Sequence, residues 1–309
     1  MFERWGMRTG FPGLGARVAS TKRSPCRMDD FARVESFEDC LTYLQSLELK
    51  KREEYETRLI SESDSFVIKG FCAACGCRRS FLVDYLYSGP KGKLNRRPNW
   101  RERLVCFGCG LNNRLRAAIH AFEGLLLPDP NSRIYITEQV TPMYRWLKAH
   151  YSNVVGSEYL GHHLQNGEVK NGIRHENLLS LSFPNSSIDT ILSFDVFEHI
   201  ANYESAIEEC ARVIRPGGGI LISVPFIFNA ENNVVRAKLT DGGVVHLMEP
   251  EYHGNPVDKD GGALCFYYFG WEFVRALRSK GFSKAAVLLY WSPEFAYLGG
   301  TQVLIWGVR

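Results

Sequence analysis

The sequence has no apolar run near the roughly 18 residues that a membrane-crossing helix requires, so we expect no membrane span and a protein free in solution. It also lacks a decisive surplus of charge. Its 37 basic and 34 acidic residues leave a net charge of +3 and a pI near 8.3, too mild to argue for a nucleic-acid partner by composition. A third absence is any secretory signal ahead of the cysteines, and four of the nine cysteines fall in two C-x-x-C pairs. That usage fits a reducing, cytoplasmic setting and a metal site better than a disulfide framework. Finally, Met1 to Arg27 sets Arg4, Arg8, Arg17, Lys22, Arg23 and Arg27 against Glu3 alone and has no usable apolar period. We expect residues 1–29 to be a disordered leader: a transit-peptide-like segment, or the product of an early start codon with Met28 as the working start.

With 309 residues and 45% hydrophobic content, the chain can bury a large core and suggests two units. Residues 30–65 read as an amphipathic helical arm. Ser36 suits the N-cap, Glu38 and Asp39 face the positive end of the helix dipole, and Phe37, Cys40, Leu41, Leu44 and Leu47 form the apolar stripe. Lys50 to Arg58 is charged, with Tyr55, Leu59 and Ile60 as the apolar residues around it, so the arm should pack on something larger. A place in a substrate lid is the alternative.

Residues 66–128 carry the strongest local signal. Cys72 and Cys75 are two residues apart, as are Cys106 and Cys109, and thirty residues separate the pairs. Two such knuckles bring four thiolates into a tetrahedron, the pattern of a zinc ribbon, and Gly76 and Gly110 after each pair allow the tight turns. Cys77 is a spare, because a closed structural zinc site takes four ligands. Between the knuckles lie Arg78, Arg79, Lys91, Lys93, Arg96, Arg97, Arg101 and Arg103, interleaved with Phe81, Tyr85, Tyr87 and Trp100 and opposed by Asp84 and Glu102. Three readings stay open: a solvated loop, a patch for the phosphate or nucleotide-sugar groups of a small substrate, or a grip on RNA through phosphates and stacking. Leu115, Ala118, Ile119 and Phe122 mark a helix after the second knuckle, and Pro128-Asp129-Pro130-Asn131 is the expected boundary.

Residues 129–309 are organised around one βαβ unit. Ile188 to Phe194 is an apolar strand running into Asp195-Val196-Phe197-Glu198-His199; Tyr203 to Ile214 is a helix; Arg215-Pro216-Gly217-Gly218-Gly219 turns into a strand over Ile220 to Phe226. In such sheets ligands bind beyond the carboxyl ends of the strands. Residues 181–200, LSFPNSSIDTILSFDVFEHI, resemble the "LPF-x4-FD-x-V" stretch ending in "EH" of class I S-adenosylmethionine-dependent methyltransferases, most closely the small-molecule group called methyltransferase type 11. Residues 212–225, RVIRPGGGILISVP, are similar to its "R-V-L-K-P-G-G" turn. The resemblance extends over Arg133 to Arg309.

It implies an α/β fold: a doubly wound, seven-stranded Rossmann-like sheet with an antiparallel C-terminal strand pair, here joined to a small N-terminal zinc-binding module. It also implies S-adenosylmethionine as cofactor and methyl transfer to a small hydroxylated metabolite or sugar. The alternatives are an RNA methyltransferase gripping its substrate with the basic module, and a noncatalytic cofactor-binding scaffold. The last arises because the family's first turn is glycine-rich, whereas Thr137-Glu138-Gln139-Val140-Thr141-Pro142 after the strand Arg133 to Thr137 contains none. Glu138 would offer a carboxylate to the cofactor's ammonium group, or is a solvated turn residue. Glu158, at the end of the short strand from Asn153, stands where the family has its ribose-binding acid. Asn177 and Leu178 fall at the adenine-contacting pair, and Asp195 beside the sulfonium. His199 could serve as general base or cap a helix. His246 and His253 flank Leu247 to Tyr252 in a long insertion and read as substrate-side groups; a metal set of His246, Glu251 and His253 is the other possibility. Two closing strands, Ala285 to Trp291 and Gln302 to Val308, lead us to expect a complete sheet.

Overall fold

The structure, a computed structural model, describes residues 28–88, 96–258 and 261–309. The expected leader over 1–27, and Lys91 and Lys93 of the basic loop, lie outside the described residues. Among the described residues no helix is long and apolar enough to cross a membrane.

The chain begins with a strand that sequence reading did not locate, β1 (Phe31–Val34), followed by two helices where one arm was expected, α1 (Phe37–Ser46) and α2 (Leu49–Leu59). Ser36 caps α1 as expected, accepting from the Asp39 amide at 3.0 Å. Then come β2 (Ser65–Cys72) and β3 (Cys77–Asp84), an antiparallel hairpin extended by the short β4 (Val105–Cys106), and α3 (Asn113–Ala121), capped by Asn112. The second half supplies β5 (Arg133–Ile136), α4 (Pro142–His150), β6 (Asn153–Gly156), β7 (Ile188–Phe194), α5 (Tyr203–Val213) and β8 (Ile214–Ser223). It closes with α6 (Trp271–Ser279), β9 (Lys284–Ser292) and β10 (Tyr297–Val308).

One seven-stranded sheet results, in the order β1-β9-β10-β8-β7-β5-β6. The β6-β5-β7-β8 half is parallel, and β10, β9 and β1 add antiparallel strands. The seventh strand is therefore Phe31–Val34, from the arm, paired so that Phe31 faces Tyr290 and Val34 faces Val287. β8 starts at Ile214 and ends at Ser223, earlier than the apolar run suggested, because a register irregularity lets the Pro-Gly-Gly turn join the ladder and Pro225 lacks an N–H to continue it.

Helices cover both faces. α4, α3 and the β2–β4 module pack on one, sharing a core of Phe81, Trp100, Ile119, Ile134, Leu192 and Trp306. α1, α5 and α6 pack on the other around Ile191, Ile207, Ile222, Phe273 and Val287. Asp189 ties the amino ends of the parallel strands together, taking Arg133 at 2.9 Å and Arg215 at 2.5 Å, a structural role far from the carboxyl ends. Residues 224–270 form the insertion, whose hairpin of Ala237–Thr240 and Gly243–His246 leaves Leu239, Val244 and Val245 exposed.

Candidate active site and metal centre

The parallel strands deliver three carboxylates to their carboxyl ends: Glu138 after β5, Glu158 after β6 and Asp195 after β7. Glu158 is buried, and its Oε1 accepts from the amides of Gln139 at 2.7 Å and Val140 at 3.1 Å. The turn that lacks glycine is thus braced by the neighbouring acid. Gln139 pins it further, donating to Gly172 O and accepting from the Arg174 amide, both at 2.8 Å. Close approach is achieved one strand away: a Cβ on Gly156 would lie 2.7 Å from both Glu138 O and the Tyr144 ring. Glu138 Oε1 is buried with no hydrogen-bond partner. Burial pushes the Glu138 carboxyl up to about 7, against the pull of Arg114 and with a push from Glu158.

Asp195 adopts a left-handed backbone, φ 55°, which turns its carboxylate into the crevice. There it meets two arginines of the cysteine module. Arg101 Nη2 donates to both oxygens, at 2.8 and 3.0 Å, Arg114 Nη1 lies 3.4 Å away, and Ser223 Oγ donates at 2.9 Å. Glu102 balances the pair, accepting from Arg114 Nε at 2.9 Å and from Arg101. Burial alone would raise the Asp195 pKa; the two guanidiniums outweigh it and hold the group well below the usual carboxylate range. Sequence reading missed this use of Arg101, Glu102 and Arg114. Arg101 looked like one more cation of a basic loop, and nothing local marks a partner 94 residues away.

The remaining expected cofactor residues are Asn177 and Leu178. Asn177 Oδ1 accepts from the Leu179 amide at 3.0 Å, so its side-chain acceptor closes its own turn. The Leu178 side chain is buried in the core with Tyr135 and Ile191, leaving its main chain for any ligand.

Of the three histidines, the structure brings two together. His199, on the turn after β7, and His253 lie with ring centroids 4.9 Å apart beside Glu198. His246 is exposed on the insertion hairpin, opposite Ala237, and does not join them. The set His246, Glu251 and His253 therefore does not assemble; His253 Nε2 meets Glu251 Oε1 at 3.1 Å, and its other neighbour is Glu198.

Cys72, Cys75, Cys106 and Cys109 do assemble, with Sγ atoms 3.7 Å apart for Cys72 and Cys109 and 3.8 Å for Cys75 and Cys106. The edge of a tetrahedron with zinc–sulfur bonds of about 2.3 Å is about 3.8 Å, so the donor set fits a tetrahedral ion. Gly76 (φ 67°) and Gly110 (φ 74°) make the left-handed turns expected of them. The Gly108 amide reaches Cys106 Sγ at 3.3 Å, and Cys77 stays outside the set.

Residues 141–222 match the family Methyltransf_11, described as a methyltransferase domain. A 53-residue stretch is 45% identical to a "probable S-adenosylmethionine-dependent methyltransferase" of Mycolicibacterium smegmatis, covering 17% of this chain and 21% of that protein. A protein of the same description from Mycobacterium tuberculosis is 36% identical over 53 residues, 17% of this chain and 19% of its own length. The chain thus spans about a fifth of the length of the curated relatives it matches. Among solved structures, an S-adenosylmethionine-dependent methyltransferase from Mesorhizobium loti aligns with a TM-score of 0.37 and 16% identity, over 63% of this chain and 96% of that one.

Proposed function

We propose that this chain is a class I S-adenosylmethionine-dependent methyltransferase acting on a small hydroxylated metabolite or sugar, with a structural zinc ion held by Cys72, Cys75, Cys106 and Cys109. The observation that carries it is the charge pattern at the carboxyl ends of β5, β6 and β7. Two carboxylates, Glu138 and Asp195, lie beside two guanidiniums, Arg101 and Arg114, an arrangement complementary to the ammonium and carboxylate of an amino-acid end. Glu158 keeps one oxygen free of the turn it braces, and that oxygen would accept from ribose hydroxyls. The main chain at Leu178 and the amide of Asn177 would border the adenine. When bound, the cofactor would supply an electrophilic methyl group to the acceptor oxygen, with its sulfur as the leaving atom. The chain's own part is to orient the two reactants beside the group formed by Glu198, His199 and His253, with the hydroxyl proton passing to water.

The test is transfer of a tritiated methyl group from S-adenosylmethionine to a panel of sugars, polyols and phenols, with RNA alongside. Label in a small hydroxylated acceptor supports the proposal. Label in RNA alone, or in nothing, contradicts it.

A further inference from the structure

Burying a carboxylate without a partner is costly, and Glu198 is such a group. Its side chain is 0% exposed, and neither oxygen has a hydrogen-bond partner. Two imidazole nitrogens face its Oε1: His253 Nδ1 at 3.7 Å and His199 Nε2 at 3.9 Å, both too far for hydrogen bonds. The other nitrogen of each ring is engaged. His199 Nδ1 donates to Leu264 O at 2.8 Å, and His253 Nε2 donates to Glu251 Oε1 at 3.1 Å. A neutral imidazole carries its proton on one nitrogen and a lone pair on the other, so both lone pairs point toward the carboxylate. These three donors lie within 4.8 Å of one another, close enough to share one cation.

We propose that Glu198, His199 and His253 form a binding site for a divalent transition-metal ion beside the methyl-transfer crevice, with its remaining positions open to an oxygen of the hydroxylated acceptor. The surroundings are those of a metal site. A ligating histidine usually gives its second nitrogen to a carboxylate or carbonyl, which fixes the tautomer, and both do so here. Glu251 is itself held by the Tyr268 hydroxyl and by Arg236 Nη2 at 3.0 Å. The Tyr252-to-Leu264 and His253-to-Ala263 ladder fixes one histidine against the carbonyl that orients the other, and the Phe266 amide ties this loop to Glu198 O at 2.7 Å. Two imidazoles and one carboxylate suit ions such as Mn2+, Fe2+, Co2+ or Zn2+. Donors around an ion with bonds of about 2.1 Å lie about 3 to 3.5 Å apart, so the two separations between Glu198 and the imidazoles, 3.7 and 3.9 Å, need to close by about 0.2 to 0.9 Å.

The acceptor's place on the ion rests on the methyltransferase reading; ion binding itself does not. Full-length protein equilibrated with Zn2+ and Mn2+, then freed of loose ions, should hold two metal ions per chain by elemental analysis. Glu198→Gln and His253→Ala should each reduce this to one and weaken Mn2+ binding, followed by electron paramagnetic resonance, at least about tenfold; Glu251→Gln should weaken it by about tenfold. His253 lies on a partly exposed loop, so His253→Ala carries the test if Glu198→Gln folds poorly. One ion in the wild type, or two ions in both Glu198→Gln and His253→Ala, overturns the site. Calorimetry with S-adenosylmethionine on the same samples separates the two claims: a second ion without cofactor binding sinks the methyltransferase reading alone, and cofactor binding without a second ion sinks this one alone.

Discussion

Glu138 holds a proton near neutrality because its carboxyl is buried between Glu158 and the arginine pair, and this sets opposite demands on stability and binding. Its folded pKa of about 7 exceeds the ordinary 4.5, so its contribution to stability is complete below about 4.5 and is lost as pH rises through about 7. Glu138→Gln should therefore unfold like the wild type at about pH 5 and be more stable by about 1 to 3 kcal/mol at about pH 8, as read by urea denaturation. Cofactor binding should respond the other way. Wild-type affinity for S-adenosylmethionine should rise as pH passes from about 6 to about 7.5, because the ionised carboxylate meets the ammonium group, whereas Glu138→Gln should bind about tenfold more weakly with a flatter profile. A wild-type profile no steeper than that of the variant would remove Glu138 from the cofactor site. At this scale the acids were legible in the sequence, since a carboxylate directly after a short apolar strand has few places to go. The arginines were not, because the helix and loop that carry them were placed by packing far along the chain.

A segment that looked separable in sequence is tied to the sheet by the elements that dock it. α2 buries Glu56, whose Oε1 accepts from Trp291 Nε1 and the Gly299 amide at 2.8 Å and from the Gly300 amide at 3.0 Å. Within a run of charged residues that acid carries no distinguishing mark; its donors come from β9 and β10, 235 to 244 residues later. α3 buries Arg116, which donates to Phe295 O at 2.7 Å and Ala296 O at 3.1 Å and lies 4.0 Å over the Phe81 ring. Gly70 allows β2 to approach the same loop, since a Cβ there would stand 2.7 Å from Glu294 O. Arg116→Ala would strip two buried carbonyls of their donor and open a cavity, and should cost about 2 to 4 kcal/mol in chemical denaturation. A loss under about 0.5 kcal/mol would mean that α3 docks by its apolar face alone. By contrast, the βαβ unit was readable because period and turn agreed over a short stretch. β1 was not: FARV is four residues long, and only its pairing with β9 makes it a strand.

Across the described residues, one core runs from the cysteine module through α3 to the sheet, so the cysteine cluster and the crevice share a foundation. Chelating the ion proposed for the four cysteines should lower the melting temperature of the entire protein in a single transition, because the module cannot unfold without stripping Trp100, Arg101 and Arg114 from the sheet. Two well-separated transitions, with the sheet's transition unmoved, would show that the module is only appended. The same continuity places Arg101 and Arg114 against Asp195, so loss of zinc should also weaken cofactor binding. The account's central claim is that the crevice holds S-adenosylmethionine despite a first turn without glycine. The direct measurement is a calorimetric titration of zinc-loaded protein with S-adenosylmethionine, repeated on Glu158→Ala. Binding in the micromolar range, weakened at least about tenfold in the variant, is the predicted result. Absence of binding to folded, zinc-loaded wild-type protein would contradict it.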